Sequence, residues 1–199
     1  MLKAYYQKKF PEAGCDEAGR GCLAGPVFAA AVVFPQGYKN KLLNDSKQLN
    51  AAMREQLRKE VERDALAWAV ASVSHEEIDS INILNASIKA MHLSLQKIPG
   101  TFGFILVDGN RFKPFDQVPY QTVVSGDATY QHIAAASILA KTYRDDWMME
   151  AHRRFPQYGW DTNKGYGTAA HRAAIMAHGL CTLHRKSFQL KEFQTELFR

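Results

Sequence analysis

The stretch Gly14-Cys-Asp-Glu-Ala-Gly-Arg-Gly-Cys-Leu-Ala-Gly-Pro26, running straight into Val27-Phe-Ala-Ala-Ala-Val-Val-Phe34, organises the reading of this chain. Val27–Phe34 is an apolar run of strand length, read as a buried strand. Ala13–Asp16 reads as a shorter strand before it, with a glycine-rich turn from Gly19 to Gly25 in between. Two adjacent acids, Asp16 and Glu17, therefore stand where the first strand gives way to the turn. Neighbouring strand residues point to opposite faces, so the two carboxylates can share one site only if the chain bends there. Gly19 and Gly21 follow at once and permit that bend.

Outward from this start, Asn50 is placed to cap an amphipathic helix over Ala51–Asp64, and Ala65–Val73 reads as a third strand. Ser74-His75-Glu76-Glu77 has acids where a helix begins, and helical pattern, with room for a break, continues to Ile98. Phe104–Val107 is a short strand running into the turn residues Asp108-Gly109-Asn110, and Gln121–Val124 is another strand. Thr129 to about Arg154 reads as one helix, Thr168–His178 as a further one stopped by Gly179, and the tail from Gln189 as helical too. Strands come first, strands and helices then alternate, and helices close the chain. That order predicts an α/β layer fold on a mixed sheet with a helical C-terminal cap.

The bulk numbers agree with such a domain. The chain has 199 residues, 46% hydrophobic and 23% charged, enough to bury a core without covalent staples. Cys15, Cys22 and Cys181 are too few and too scattered for a disulfide framework. The start of the chain carries Lys3, Lys8 and Lys9 with no apolar run behind them, unlike a signal peptide, and no stretch has membrane-span length. A soluble, cytoplasmic protein is expected. Net charge is +5, and residues 141–199 hold ten Lys/Arg against six Asp/Glu, so the last third is the basic part. A polyanionic partner on that side and a merely solvated basic surface fit this equally well.

The acids at element ends suggest chemistry. Asp16, Glu17, Asp108 and Asp127 come from distant parts of the chain and can converge at one sheet edge. Crowded carboxylates repel one another unless a cation neutralises them, and hard oxygen ligands suit Mg2+ or Mn2+ and not zinc. For any one of these aspartates alone, a turn or capping role would be the better reading. Asp145 competes with Asp127 for the fourth place. Eighteen residues of continuous helix would separate them by roughly 27 Å, however, whereas paired catalytic ions lie only about 4 Å apart. Asp145 is expected to pair with Arg144 or another base.

The quoted opening closely resembles the signature of the type 2 ribonucleases H, the ribonuclease HII family. Five further segments resemble the same family in the same order. They are Asn44-Asp-Ser-Lys47, Val107-Asp-Gly109, Gly126-Asp127 leading through Ile133-Ala-Ala-Ala-Ser-Ile-Leu-Ala-Lys141 to Arg144-Asp145, Asn163-Lys-Gly-Tyr-Gly-Thr168 with His171, and His184-Arg-Lys-Ser-Phe188. The resemblance spans Ala13 to Phe188.

It implies a ribonuclease H-like mixed β-sheet flanked by helices over residues 1–154. Residues 155–199 would form a helical extension that completes the substrate-binding face of one structural unit. It also implies an endoribonuclease that cuts the RNA strand of RNA–DNA hybrids and cuts 5′ of single ribonucleotides embedded in duplex DNA. Asp16, Glu17, Asp108 and Asp127 would be both catalytic and metal-binding. They would hold two divalent ions, Mg2+ or Mn2+, and the products would carry 3′-hydroxyl and 5′-phosphate ends. Gly19, Arg20 and Gly21 match the motif that reads the 2′-hydroxyl, which distinguishes RNA from DNA. Tyr166 matches the tyrosine that packs on the sugar, and Lys47 and Lys164 match basic positions near phosphate. A type 1-like enzyme needing several ribonucleotides, or an inactive hybrid-binding module, are the rival readings.

Departures from the family pattern are Cys22 where proline is usual and Ser125 where lysine often precedes Gly-Asp. Thr129, Tyr130 and His132 replace a region often richer in Lys and Ser. These put phosphate contacts around Asp127 in question, with His132 either a substitute base or a packed helix histidine. The Gly19–Gly25 turn misses dinucleotide-loop spacing by one position. His171, His178, Cys181 and His184 are irregularly spaced for a zinc module and read as structural. Gln194-Thr-Glu-Leu-Phe198 resembles the short motif by which bacterial repair proteins bind the sliding clamp; an amphipathic terminal helix is the plainer alternative. A monomer is expected.

Overall fold

A computed structural model gives the fold, described for residues 2–9, 11–43 and 49–188. Lys47 and the tail from Gln189, with its Gln194–Phe198 motif, lie outside the described residues. Five strands form one sheet in the order β3-β2-β1-β4-β5. They are β1 (Glu12–Ala18), β2 (Val27–Val33), β3 (Ala67–Val73), β4 (Phe104–Asp108) and β5 (Tyr120–Val123). β1, β2 and β3 pair antiparallel, whereas β4 joins β1 in parallel and β5 joins β4 in parallel. The sheet is mixed, as expected.

Two helical layers cover it, and the alternation of β2 shows why. Val27, Ala29, Ala31 and Val33 pack with Ala86, Ala90, Met91 and Leu95 of α3 (Ile83–Gln96) and Ile78 of α2 (His75–Ile81). Ala30 and Val32 face the other way, onto Leu57 and Val61 of α1 (Ala51–Asp64) and Ala135, Ile138 and Leu139 of α4 (Gln131–Arg154). All of β2 is buried, because both faces of a central strand are covered. Asn50 caps α1 as the sequence implied, its side chain accepting from the Met53 N–H. The break between α2 and α3 falls at Asn82, with φ 63°, whose side chain caps α3 by accepting from Asn85 N–H.

Gly14 sets the distance between α4 and the sheet. A Cβ there would lie 2.3 Å from the His132 carbonyl carbon, so only glycine admits this approach. Beyond α4, a short α5 (Trp160–Asn163) and α6 (Ala169–His178) wrap the end of that helix. Met148, Ala151, Tyr158, Trp160 and Ile175 form a small apolar cluster there with Ala24 of the glycine-rich turn. The one-turn α5 has no periodic signal and was not expected. Among the described residues, no helix is long and apolar enough to cross a membrane.

Candidate active site

Strand register brings the acids together. Cys15 is the last residue of β1 paired with β4, opposite Val107, so Asp16 and Asp108 follow side by side where that ladder ends. β1 continues to Ala18 against β2, with Asp16 opposite Ala30 and Glu17 opposite Ala29. The strand is longer than the sequence suggested, and its last residues, from Asp16 on, pair on one side only. Asp16, Glu17 and Asp108 line one cleft with Gly19, Arg20, Gly21, Ser137, Lys141 and Tyr166.

The electrostatics of the three carboxyls are unfavourable as they stand. Burial holds the Asp16 carboxyl well above the usual carboxylate range, and the neighbouring charges of Glu17 and Asp108 push it further. The Ser137 hydroxyl and the Glu17 N–H, which donates to Asp16 Oδ1 at 2.7 Å, act in the opposite sense. Burial also raises Glu17, against the pull of Arg20, whose Nη1 sits 3.0 Å from Glu17 Oε1.

Asp127 is buried in the short 3-10 turn Gly126–Ala128 that follows β5, and it is not among the residues lining the cleft. That turn is nonetheless tied to Asp108, whose Oδ1 accepts the Gly126 N–H at 2.7 Å. Among the described residues, no three His, Cys, Asp or Glu side chains stand together as a ready cation shell. Glu17 is turned to Arg20 and Asp108 to Gly126. The donors suit a hard divalent cation all the same: they are carboxylate oxygens, and their mutual repulsion is what such a cation relieves.

Two buried arginines build the wall of the cleft. Arg185 donates from Nη2 to the Gly19 carbonyl (2.7 Å), from Nη1 to that of Arg20 (2.9 Å) and from Nε to that of Gly25 (2.9 Å). Arg144 donates to the carbonyls of Pro26, Ala24 and Lys164 at 3.2, 3.2 and 2.9 Å. The carbonyls of the turn are thus drawn inward. Among the described residues, the N–H groups of Arg20 and Gly21 have no acceptor within the chain. Gly19 has φ +95°, and a Cβ on it would meet Arg144 Nε at 2.0 Å, so the glycine serves the guanidinium behind it.

Asp145 pairs with bases, as expected, here Lys141 (2.6 Å) and Arg54 (3.8 Å), while the adjacent Arg144 is buried and donates to the turn carbonyls. His132 is no substitute base: it is buried near Phe34, and desolvation lowers its pKa to about 4. Lys164 points away from the cleft, its Nζ meeting the Asp161 carbonyl and, at 3.0 Å, Met149 Sδ. Ser137 and Lys141 were quoted without a role. Their spacing of four along α4 puts both on one side of that helix, where both line the cleft.

A mixed sheet with carboxylates at the ends of its central strands, flanked by helices, is the arrangement of a ribonuclease H-like nuclease. Solved structures share the fold. Ribonuclease H2 from Pyrococcus horikoshii OT3 superimposes with TM-score 0.78 at 23% identity, covering 94% of this chain and 98% of that one. The PCNA:RNase HII complex from Archaeoglobus fulgidus gives TM-score 0.75 at 24% identity over 91% and 96%. The Bst-RNase HIII structure in complex with Mn2+ gives 0.72 at 16% over 94% and 69%. The ribonuclease HII family model matches residues 13–191. The ribonuclease HII of Bacteroides fragilis is 56% identical over 199 residues, spanning 100% of this chain and 99% of its own length. The chain belongs to the ribonuclease HII family and is a hydrolase of the ribonuclease H type.

Proposed function

We propose that this enzyme hydrolyses the RNA strand of RNA–DNA hybrids and cuts 5′ of single ribonucleotides embedded in duplex DNA, starting their removal in the cytoplasm. The observation that carries the reading is one cleft shared by Asp16, Glu17, Asp108, the Gly19–Gly21 turn and Tyr166. Asp16, Glu17 and Asp108, with Asp127 from the adjoining turn, would hold two Mg2+ or Mn2+ ions; a related ribonuclease HIII was solved with Mn2+. Such ions supply an activated water and stabilise the departing 3′-oxygen, leaving 3′-hydroxyl and 5′-phosphate ends.

The chain's own groups do the rest. The unengaged amides of Arg20 and Gly21 donate to the sugar edge bearing the 2′-hydroxyl, the group that separates RNA from DNA. Tyr166, 41% exposed, offers its ring to the sugar. Lys141 and Arg20 bring positive charge to the phosphate side of the cleft, and Ser137 orients the Asp16 carboxyl. Lys47 and Lys164 are assigned to phosphate more distant from the scissile bond.

Asp16→Asn removes one negative ligand without changing side-chain volume. Cleavage of a duplex with one embedded ribonucleotide is expected to fall at least about 1000-fold with a melting temperature no lower than that of the unaltered enzyme, because a charge leaves a repelling cluster. Near-normal cleavage by the folded variant would end the assignment, and cleavage by the unaltered enzyme of only a four-ribonucleotide tract would favour the type 1-like mode.

We further assign Gln194–Phe198 to sliding-clamp binding by a monomeric enzyme; the Archaeoglobus fulgidus relative was solved as a PCNA complex. Deleting residues 194–199 should abolish clamp binding in a pull-down and leave cleavage of short duplexes unaltered. Unchanged clamp binding would dispose of this role.

A further inference from the structure

Behind Tyr166 lies a pair of buried histidines that the proposed chemistry does not use. His171 and His184 are 0% and 1% exposed, and their Nε2 atoms are 3.2 Å apart. Their protonation is fixed by two groups that can only donate. The Trp160 indole N–H points at His171 Nε2 at 3.0 Å, so that nitrogen must be an acceptor and the proton must sit on Nδ1. The Cys181 backbone N–H points at His184 Nδ1 at 3.0 Å, so the proton of His184 must sit on Nε2. A directed chain results. Cys181 N–H donates to His184, His184 Nε2–H to His171 Nε2, and His171 Nδ1–H to the Tyr166 carbonyl at 2.9 Å. A second proton on either ring would set donor against donor, and burial favours the neutral form of both.

The end of this chain is the backbone of the residue that faces the cleft. Tyr166 N–H donates to Asn163 at 2.9 Å, and its carbonyl also accepts Thr168 N–H at 2.8 Å. On the ring side, the Arg144 guanidinium and Lys141 Nζ each lie 5.8 Å from the Tyr166 centroid.

We propose that His184 and His171 are positioning residues that hold Tyr166 at the angle from which its ring meets the substrate sugar. The inference rests on the sugar-packing role assigned to Tyr166 above. Geometry is handed from ring to ring: the Trp160 N–H and the His184 Nε2–H converge on the one acceptor nitrogen of His171, which leaves the His171 proton on Nδ1, where it anchors the Tyr166 carbonyl.

The test combines variants with spectroscopy. His171→Leu removes the donor to the Tyr166 carbonyl, whereas His171→Asn keeps an N–H near the Nδ1 position. On a duplex with a single ribonucleotide, His171→Leu is expected to raise KM roughly tenfold, the worth of a lost buried hydrogen bond, with kcat little changed. His171→Asn should recover most of that loss. In a Tyr166→Ala background, His171→Leu should add nothing, because both act through one side chain. If Tyr166→Ala is costly and His171→Leu multiplies that cost, the proposal is overturned and the histidines merely support the fold. If Tyr166→Ala alone is neutral, the sugar-packing role fails and the proposal falls with it. Should a variant not fold, 15N NMR of the unaltered protein decides: the proton must be on Nδ1 of His171 and on Nε2 of His184, and the opposite tautomers would refute the chain.

Discussion

Arg185 is the residue on which the glycine-rich turn depends most. Its three hydrogen bonds reach carbonyls 160, 165 and 166 positions away in sequence, and it is 1% exposed. Desolvation lowers its pKa to about 10, still far enough above neutrality to keep the guanidinium charged. Replacing it by lysine looks conservative and is not, because one ammonium cannot serve three carbonyls that a planar fork reaches at once. Arg185→Lys should cost about 3 kcal/mol of stability, since the buried Gly25 carbonyl loses its guanidinium donor and the Gly19 carbonyl keeps only the Cys22 N–H at 3.4 Å. It should also raise KM as the Arg20 and Gly21 amides lose their orientation. Thermal melting beside steady-state kinetics separates this variant from Asp16→Asn, which loses activity without a lower melting temperature. A melting temperature equal to wild type would show that the turn holds itself.

At the scale of elements, local patterns carried most of the fold. The apolar run of Val27–Val33, the Asn50 and Thr168 caps and the Gly179 stop all act through neighbours a few residues away, so they are visible along the chain. The site was partly legible for the same reason. Asp16, Glu17 and Asp108 sit at strand ends, and parallel pairing of β1 with β4 needs only the strands themselves to bring them together. What sequence could not show was set by contacts across the fold. The continuation of β1 through Glu17 depends on β2 still pairing there, opposite Ala29. The choice of Arg144 for the turn carbonyls, and of Lys141 for Asp145, depends on which side of α4 meets Gly19 and Gly165. Likewise the His171–His184 pair joins α6 to the segment after it, and spacing along the chain says nothing of a 3.2 Å meeting between rings.

Over the whole molecule, charge and pH must be read with burial in hand. Residues 141–199 carry ten Lys/Arg, yet Arg144 and Arg185 are spent inside, so the basic face is weaker than the count implies. The buried histidines have a matching consequence. Burial lowers His132 and His184 to about 4, below the 6.5 of an unfolded histidine. Between those values the unfolded chain binds more protons than the folded one, so stability present above pH 6.5 is lost as pH falls toward 4. For His132, buried where the start of α4 meets Gly14 of β1 and with no partner for Nδ1 among the described residues, the full loss is on the order of 3 kcal/mol. His132→Phe keeps a ring against Phe34 and removes the titrating group. Its melting temperature should therefore fall less steeply than that of the wild type from pH 6.5 to pH 4.5, whatever its value at pH 7.5. Parallel slopes for the two proteins would mean that His132 reaches a proton acceptor in the folded state.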